Sequence, residues 1–142
     1  MRRPMPPALR FVLLLSLLAA LAAPLSLVVL RRQEERQAQV TAESIARGHV
    51  AAGKAAIGRY GCAACHEIPG IDGARGQVGP SLKGFATRTS VAGVLPNDPA
   101  SLIRWLRDPQ GVIPGNAMPN MGLGEADARD IAAYLYTLRS RG

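Results

Sequence analysis

The stretch Cys62-Ala63-Ala64-Cys65-His66 decides the fold of this chain. It places two thiols three positions apart and a histidine directly after the second thiol, which is the spacing of a c-type haem attachment site. Each thiol can add to one vinyl group on the same edge of the porphyrin, so the macrocycle is tethered at two points. The adjacent His66 then lies under the iron, where a neutral imidazole nitrogen is a suitable axial ligand. The sequence therefore predicts one covalently bound haem c.

Three other chemistries use closely spaced cysteines, and the surrounding sequence argues against each. A thioredoxin-like dithiol requires a βαβ pattern, and the chain has no alternating strand pattern. A structural zinc site requires four ligands, whereas the chain has two Cys and two His, and His49 is far upstream on a predicted helix. A disulfide between Cys62 and Cys65 would close a very short loop and add little stability.

The composition of the 142-residue chain fits one small domain with an extension. Aromatic residues make up only 4% of it, so the core of a domain of this size would be thin unless a buried haem filled it. The formal net charge is +7, but the basic residues are scattered, which argues against a nucleic-acid partner. A mildly basic face for an acidic redox partner and a plain solvated surface both remain open.

An apolar run from Phe11 to Leu30 contains no charged residue. As a helix rising about 1.5 Å per residue, it would span about 30 Å, the thickness of a bilayer core. We expect residues 1–30 to form an uncleaved anchor; a signal peptide cleaved near Ala22 and a buried soluble helix are the alternatives. Three basic residues precede the run: Arg2, Arg3 and Arg10. They favour an N-terminus on the cytoplasmic side, which would place the haem motif on the opposite side of the membrane.

Helix signals divide the rest of the chain. Residues 31–46 are polar and lack Gly and Pro, so they predict a helical stalk or linker. The domain that contains the attachment motif would follow over residues 47–142. Its expected helices cover about 47–59, Pro99 to Asp108 with Asp98 as the cap, and about 125–139 with acids early and Arg139 late. The stretches rich in Gly and Pro are expected to be irregular: 68–84 and 111–124.

The far side of the iron needs a second ligand, and Met118 and Met121 are the candidates after the motif. With the histidine motif early, the methionine loop late and helices at both ends, the chain resembles a class I c-type cytochrome with one haem and His/Met ligation. The stretch Ser101 to Met118 resembles that family's helix and ligand loop without a gap. Gly79-Pro80-Ser81-Leu82-Lys83-Gly84 resembles the loop after the attachment site, and the whole resemblance covers roughly residues 47–139.

The resemblance implies an all-α, small cytochrome c fold around one covalent haem, and it assigns roles to single residues. Met118 matches the axial thioether, which should raise the reduction potential, and Met121 does not match it. The resemblance implies three further roles around the haem. The carbonyl of Pro80 would accept a hydrogen bond from the His66 imidazole. Arg88 and Asn116 would face the propionates, and Trp105 would take the place of a tyrosine beside the methionine. Each role has an alternative: Pro80 as an ordinary loop proline, Arg88 and Asn116 as solvated loop side chains, and Trp105 as a residue that only packs.

The resemblance also implies how the terminal helices meet. The face of the last helix that carries Ile131 and Tyr134 would cross the second helix at Gly53 and Ile57, where close approach needs a small residue. This role is structural. It would place the attachment motif directly after the helix crossing.

Together these features predict a membrane-tethered electron carrier, or the haem c subunit of a respiratory complex such as a terminal oxidase, with no catalysis of its own. By resemblance its partners would be a quinol-oxidising complex and a terminal haem-copper oxidase, met at the periplasmic or outer face of a bacterial inner membrane that it crosses once. Gln110 and Ala117 stand where mitochondrial-type proteins carry lysines, so docking to their usual acidic partners is not assumed. The alternatives are a haem c enzyme or gas sensor whose Met118 dissociates, and a non-haem interaction protein.

Overall fold

The computed structural model describes residues 6–139, and this part of the chain is built mainly from α-helices. The predicted all-α class is confirmed. Arg2 and Arg3, which were predicted to orient the N-terminus, lie outside the described residues. In chain order the elements are α1 (Pro7–Ala46), α2 (Val50–Arg59), a 3₁₀ turn (Cys62–Ala64), a second 3₁₀ turn (Phe85–Thr87), β1 (Ser90–Val91), β2 (Leu95–Pro96), α3 (Pro99–Arg107), α4 (Pro109–Val112) and α5 (Glu125–Thr137).

The chain divides into two compact units, Met1–Gln37 and Ala38–Gly142. The described part of the first unit is the portion of α1 that contains the apolar run and the first polar residues after it, and this helix continues through Pro24 without ending. This helix is long and apolar enough to cross a membrane, with a mean hydropathy of 2.6 over its most apolar window and none of that window buried. A membrane anchor and a signal sequence share these properties.

The last turns of α1 belong to the second unit. Ala42 and Ala46 are 1% and 0% exposed, and the carboxylate of Glu43 accepts a hydrogen bond from the backbone N–H of Val50 at 2.9 Å. The helix ends because Arg47 takes a φ of 52°, the left-handed conformation that commonly follows a helix C-terminus. As a result α2 begins at Val50 rather than near residue 47, and the end of the predicted stalk is part of a folded core.

The crossing of α2 over α5 is the closest helix contact in the second unit. A Cβ at Gly53 would overlap the carbonyl of Asp130 and lie 3.0 Å from the backbone nitrogen of Ile131, so only glycine fits between the two backbones. The Asp130 side chain also accepts a hydrogen bond from the backbone N–H of His49 at 2.7 Å. The hydroxyl of Tyr134 is engaged elsewhere, donating to the Pro69 carbonyl at 2.7 Å.

The carboxylate of Asp127 ties the other end of α2 to α5. It accepts hydrogen bonds from the guanidinium of Arg59 and from the hydroxyl of Tyr60, each at 2.7 Å. The hydrogen bond from the Tyr60 hydroxyl to Asp127 is the main reason why the pKa of Tyr60 is raised. The segment that follows Tyr60 directly is the attachment motif, so the helix crossing fixes where the motif begins.

The core of the second unit is filled by side chains from α2, α5, α3 and the second 3₁₀ turn. The rings of Phe85 and Tyr136 meet edge to face with centroids 5.9 Å apart, and burial raises the pKa of Tyr136 to about 12. The largest fully buried side chains are Ile57, Ile68, Leu102, Ile131 and Pro109.

The segments after the motif agree with the predicted helix of α3 and differ at two places. Asp98 caps α3 by accepting from the backbone N–H of Ser101 at 2.9 Å. A stretch that was predicted irregular from residue 111 overlaps α4, because the Asp108 side chain caps this short helix by accepting from the N–H of Gly111 at 2.9 Å. The antiparallel pair β1 and β2 was not predicted, since two-residue strands are too short for an alternating pattern.

A methyl group at position 53 should loosen the α2–α5 crossing. We expect Gly53→Ala to lower the free energy of unfolding by about 1–3 kcal/mol, the usual cost of overpacking, in chemical denaturation of the detergent-solubilised holoprotein. Gly58→Ala is the matched control on the same helix, because a Cβ there meets nothing within 4 Å. It should raise stability by up to about 1 kcal/mol through helix propensity. Equal effects of both substitutions would contradict the close crossing.

Candidate functional site

The attachment segment begins at a glycine that ends the preceding helix. Gly61 takes a φ of 67°, which lets the chain turn out of α2 into the short 3₁₀ turn that carries Cys62. The backbone N–H groups of Cys65 and His66 both donate to the Cys62 carbonyl, at 3.2 and 3.0 Å. This turn places the two cysteines and the histidine within one compact loop.

The two cysteines are unpaired in the structure and partly buried. Burial raises the pKa of the Cys62 thiol, so the free group is held as a neutral thiol. Two partly buried cysteines that are not bonded to each other suit thioether formation with an apolar macrocycle.

The imidazole of His66 is oriented by the loop that follows the motif. Its Nδ1 lies 2.8 Å from the Pro80 carbonyl oxygen. Because a carbonyl only accepts, Nδ1 carries the proton and the lone pair of Nε2 is left for a metal. The hydrogen bond predicted between these two residues is therefore present, although its role toward a haem remains a prediction.

Gly79 holds the imidazole ring from one side. A Cβ at this position would lie 2.7 Å from Nδ1 and 2.8 Å from Nε2 of His66, closer than real side-chain contacts. The backbone N–H of Gly79 donates to the Cys65 carbonyl at 2.8 Å, which fixes the loop against the attachment segment. The ring consequently packs on bare backbone, a role of Gly79 that sequence reasoning did not assign.

Arg88 braces the loop that carries Pro80. Its guanidinium donates to the carbonyl of Ser81, and to that of Lys83 at 3.3 Å, and it lies 5.6 Å from the centre of the Phe85 ring. These contacts are all with protein groups. The contact of Arg88 with haem propionates stays a prediction.

The loop around Met118 is held by two side-chain amides rather than by regular secondary structure. Asn116 donates to the carbonyls of Pro109 and Ile113 at 2.8 and 2.6 Å, and its oxygen accepts from the Met118 N–H at 2.8 Å. Both amide hydrogens of Asn116 are thus used inside the loop. Its predicted contact with a propionate stays a prediction that competes with these bonds.

Gln110 is the second amide, and the sequence did not identify it as part of the site. Its NH₂ group donates to the carbonyls of Asn116 and Met118 at 2.9 and 2.7 Å, and its oxygen accepts from the Gly115 N–H at 3.1 Å. The only signal was its position at the start of a loop rich in Gly and Pro, where backbone groups need side-chain partners. Gln110 and Asn116 together fix the backbone on both sides of the methionine.

The apolar side chains beside these loops complete a setting that suits a haem. Trp105 is half-buried against the core. Within residues 6–139 its indole N–H has no protein acceptor, which agrees with the alternative that Trp105 only packs. Unpaired thiols, an imidazole with one fixed tautomer and a methionine are side chains of the types that hold haem c, and the role of Met118 as a ligand stays a prediction. The partly buried apolar residues packed on the core include Leu82, Ile103, Trp105, Met118 and Met121.

Comparisons with known proteins agree with this geometry. The sequence model of the Cytochrome c family matches residues 50–139. The chain is 38% identical over 90 residues to cytochrome c2 iso-2 of Magnetospirillum fulvum, covering 54% of this chain and 91% of that one. It is 36% identical over 94 residues to cytochrome c2 of Rhodoblastus acidophilus, covering 57% of this chain and 86% of that one.

A second group of relatives is much longer than this chain. Cytochrome c oxidase subunit 2 of Alkalihalophilus pseudofirmus is 37% identical over 79 residues, which cover 55% of this chain and 22% of that protein. The chain therefore spans about a quarter of the length of such relatives. No solved structure matches. The match over most of the second unit, together with the site described above, shows that the chain belongs to the cytochrome c family, as a class I c-type cytochrome with covalently bound haem c.

Proposed function

We propose that this chain is a membrane-tethered electron carrier whose haem domain works at the outer face of a bacterial inner membrane. The observation that carries the proposal is the imidazole of His66, held by the Pro80 carbonyl directly after two unpaired thiols. The residues proposed to hold the haem are Cys62 and Cys65 through thioether bonds, His66 and Met118 as axial ligands, and Pro80, Arg88, Trp105 and Asn116 around them.

The bound haem supplies one-electron chemistry between ferric and ferrous iron. The protein's part is to keep both ligands in place through the cycle. Gly79 and Pro80 hold the His66 ring, and Gln110 and Asn116 hold the backbone of Met118. Because each ligand is fixed by contacts that do not involve the metal, little rearrangement should accompany electron transfer. The fixed methionine also disfavours the gas-sensor alternative, which requires that ligand to leave.

The tether is the apolar part of α1, and we assign residues 1–30 as anchor, 31–46 as stalk and 47–142 as the cytochrome domain. The hydropathy and exposure of this helix support the assignment. A tether raises the effective concentration of the carrier near partners in the same membrane. A signal peptide is the competing assignment for the same segment.

The partners we propose are respiratory complexes, with a quinol-oxidising complex as donor and a terminal haem-copper oxidase as acceptor. Support comes from relatives that are themselves named cytochrome c oxidase subunit 2. The same likeness supports a second arrangement, in which the chain is a non-catalytic subunit of such an oxidase. Co-purification distinguishes a free carrier from a subunit.

A side chain placed against the His66 imidazole should weaken its bond to the iron. Gly79→Ala places a Cβ against the His66 ring, and we expect less haem per polypeptide and a shift toward a high-spin visible spectrum. Gly124→Ala is the control, because nothing lies within 4 Å of its Cβ and its backbone is extended. Haem staining and absorption spectra of the purified proteins measure both effects. A Gly79→Ala spectrum identical to that of the wild type would remove Gly79 from the site.

Removing the methionine should open the sixth coordination position. Met118→Ala is expected to lose the weak absorption band at the red edge of the ferric spectrum and to bind carbon monoxide rapidly when reduced. Its potential should fall by part of the roughly 0.8 V range that axial ligands control. Met121→Ala is the matched control and should keep both the band and the potential. If Met121→Ala loses the band instead, the ligand assignment is reversed.

The tether is tested by fractionation. We expect the haem-stained chain to stay with membranes after a high-salt wash and to be released by mild detergent, with its N-terminus intact. A variant in which a cleavable signal peptide replaces residues 1–30 should appear in the soluble periplasmic fraction with an unchanged spectrum. A wild-type N-terminus found just after residue 22 would establish cleavage and refute the anchor.

A further inference from the structure

A groove of about 700 Å³ lies in the second unit, and none of the residues proposed to hold the haem lines it. Its walls come from the end of α1, from α3, and from the approach to α5 and its first turn. The groove combines a set of arginines with apolar side chains.

The positive charge of the groove exceeds its negative charge. The arginines are Arg47, Arg104, Arg107 and Arg129, against two carboxylates. Within residues 6–139, neither Arg47 nor Arg104 has a carboxylate at ion-pair distance, whereas the other two arginines pair with Glu125. Two cations on different walls of the groove are therefore uncompensated.

The two carboxylates are already engaged. Glu125 accepts from Arg129 at 2.5 Å and lies 3.7 Å from Arg107, and the hydrogen bond from Arg129 is the main cause that lowers its pKa. Asp108 accepts from the backbone N–H of Gly111. With four arginines against these two carboxylates, the groove keeps a formal charge of +2, so it attracts an anionic occupant.

The floor of the groove selects among anions. Ile45 is 47% exposed, and Ile103 and Leu123 line the groove beside it. A bare phosphate would leave this apolar surface in contact with water. The nine residues of α3 (Pro99–Arg107) rise about 13.5 Å, which matches about four residues of extended peptide. An acidic peptide that also carries apolar side chains fits both the charge and the length.

The site around the haem provides less attraction of this kind. The attachment segment 61–66 and the stretch 109–122 around Met118 contain no Asp, Glu, Lys or Arg, and the Pro80 loop carries Lys83 and Arg88, whose guanidinium is bound to carbonyls of the same loop. An acidic partner would therefore be drawn to the groove rather than to these loops. We propose that the groove is a docking site for an acidic, partly apolar segment of a partner protein, which binds the cytochrome domain without covering its haem loops.

The test uses full-length holoprotein in a non-ionic detergent and a fluorescent peptide of alternating Glu and Leu as the probe, with binding read by anisotropy. We expect the double variant R47Q/R104Q to bind at least about tenfold more weakly, or about 1.4 kcal/mol. The control R75Q/R139Q removes the same charge from exposed arginines outside the groove, and should change binding by less than about twofold because distant charges are screened. Equal loss in both variants, or no binding at low salt, would overturn the proposal.

Two further arms identify the occupant. Inorganic phosphate and glycerol phosphate, a soluble analogue of a lipid headgroup, should each fail to displace the peptide in millimolar excess. Displacement by inorganic phosphate would reassign the groove to a phosphate, and displacement by glycerol phosphate alone would reassign it to a lipid headgroup. The visible spectrum and reduction by a small reductant should be unchanged in every variant. Failure of the docking site is thereby separated from failure of the haem site.

Discussion

The hydrogen bond from His66 Nδ1 to the Pro80 carbonyl is the contact on which the site depends. It joins two segments fourteen positions apart and sets the tautomer of the ring. It forms only because Gly79 lacks a side chain where the ring lies and because the Gly79 N–H is bound by the Cys65 carbonyl. A lost contact here would leave the ring free to rotate and would remove the orientation that a metal ligand requires. The helix crossing at Gly53 serves the same end, because it fixes where the attachment segment starts.

Side-chain amides take the place of secondary structure in the loops that surround the haem. Asn97 donates to the carbonyls of Phe85 and Arg88, each at 3.0 Å, and its own oxygen accepts from the Tyr136 hydroxyl at 3.1 Å. Gln110 and Asn116 do the same around Met118. An amide satisfies a donor and an acceptor at once, so a few such residues stabilise long stretches without helices or strands. Loops held in this way can present ligands rigidly, which favours electron transfer over ligand exchange.

The sequence predicted the parts of this protein that follow from local chemistry. The motif at Cys62, the start of α3 at Asp98 and the long apolar helix each have a signal within a few residues. The amide network was missed because Gln110 finds its partners through the fold of the loop, and one sequence offers no trace of those pairings. The burial of Ala42 and Ala46 was not predicted, since it depends on the rest of the domain rather than on their own composition. Whether Arg88 and Asn116 face a propionate depends on a group that no local pattern describes.

The distribution of charge separates two tasks that many electron carriers perform with one surface. The attachment segment and the stretch around Met118 lack formal charges, so contact with them depends mainly on shape and apolar burial, and changes in salt should affect it less. The uncompensated arginines lie in the groove between α1, α3 and α5, where attraction depends on salt. A domain built in this way can be held near a partner through the groove while the surface around the haem associates and dissociates. Electron transfer requires the contact at the haem to be brief, and the contact at the groove can persist without slowing it.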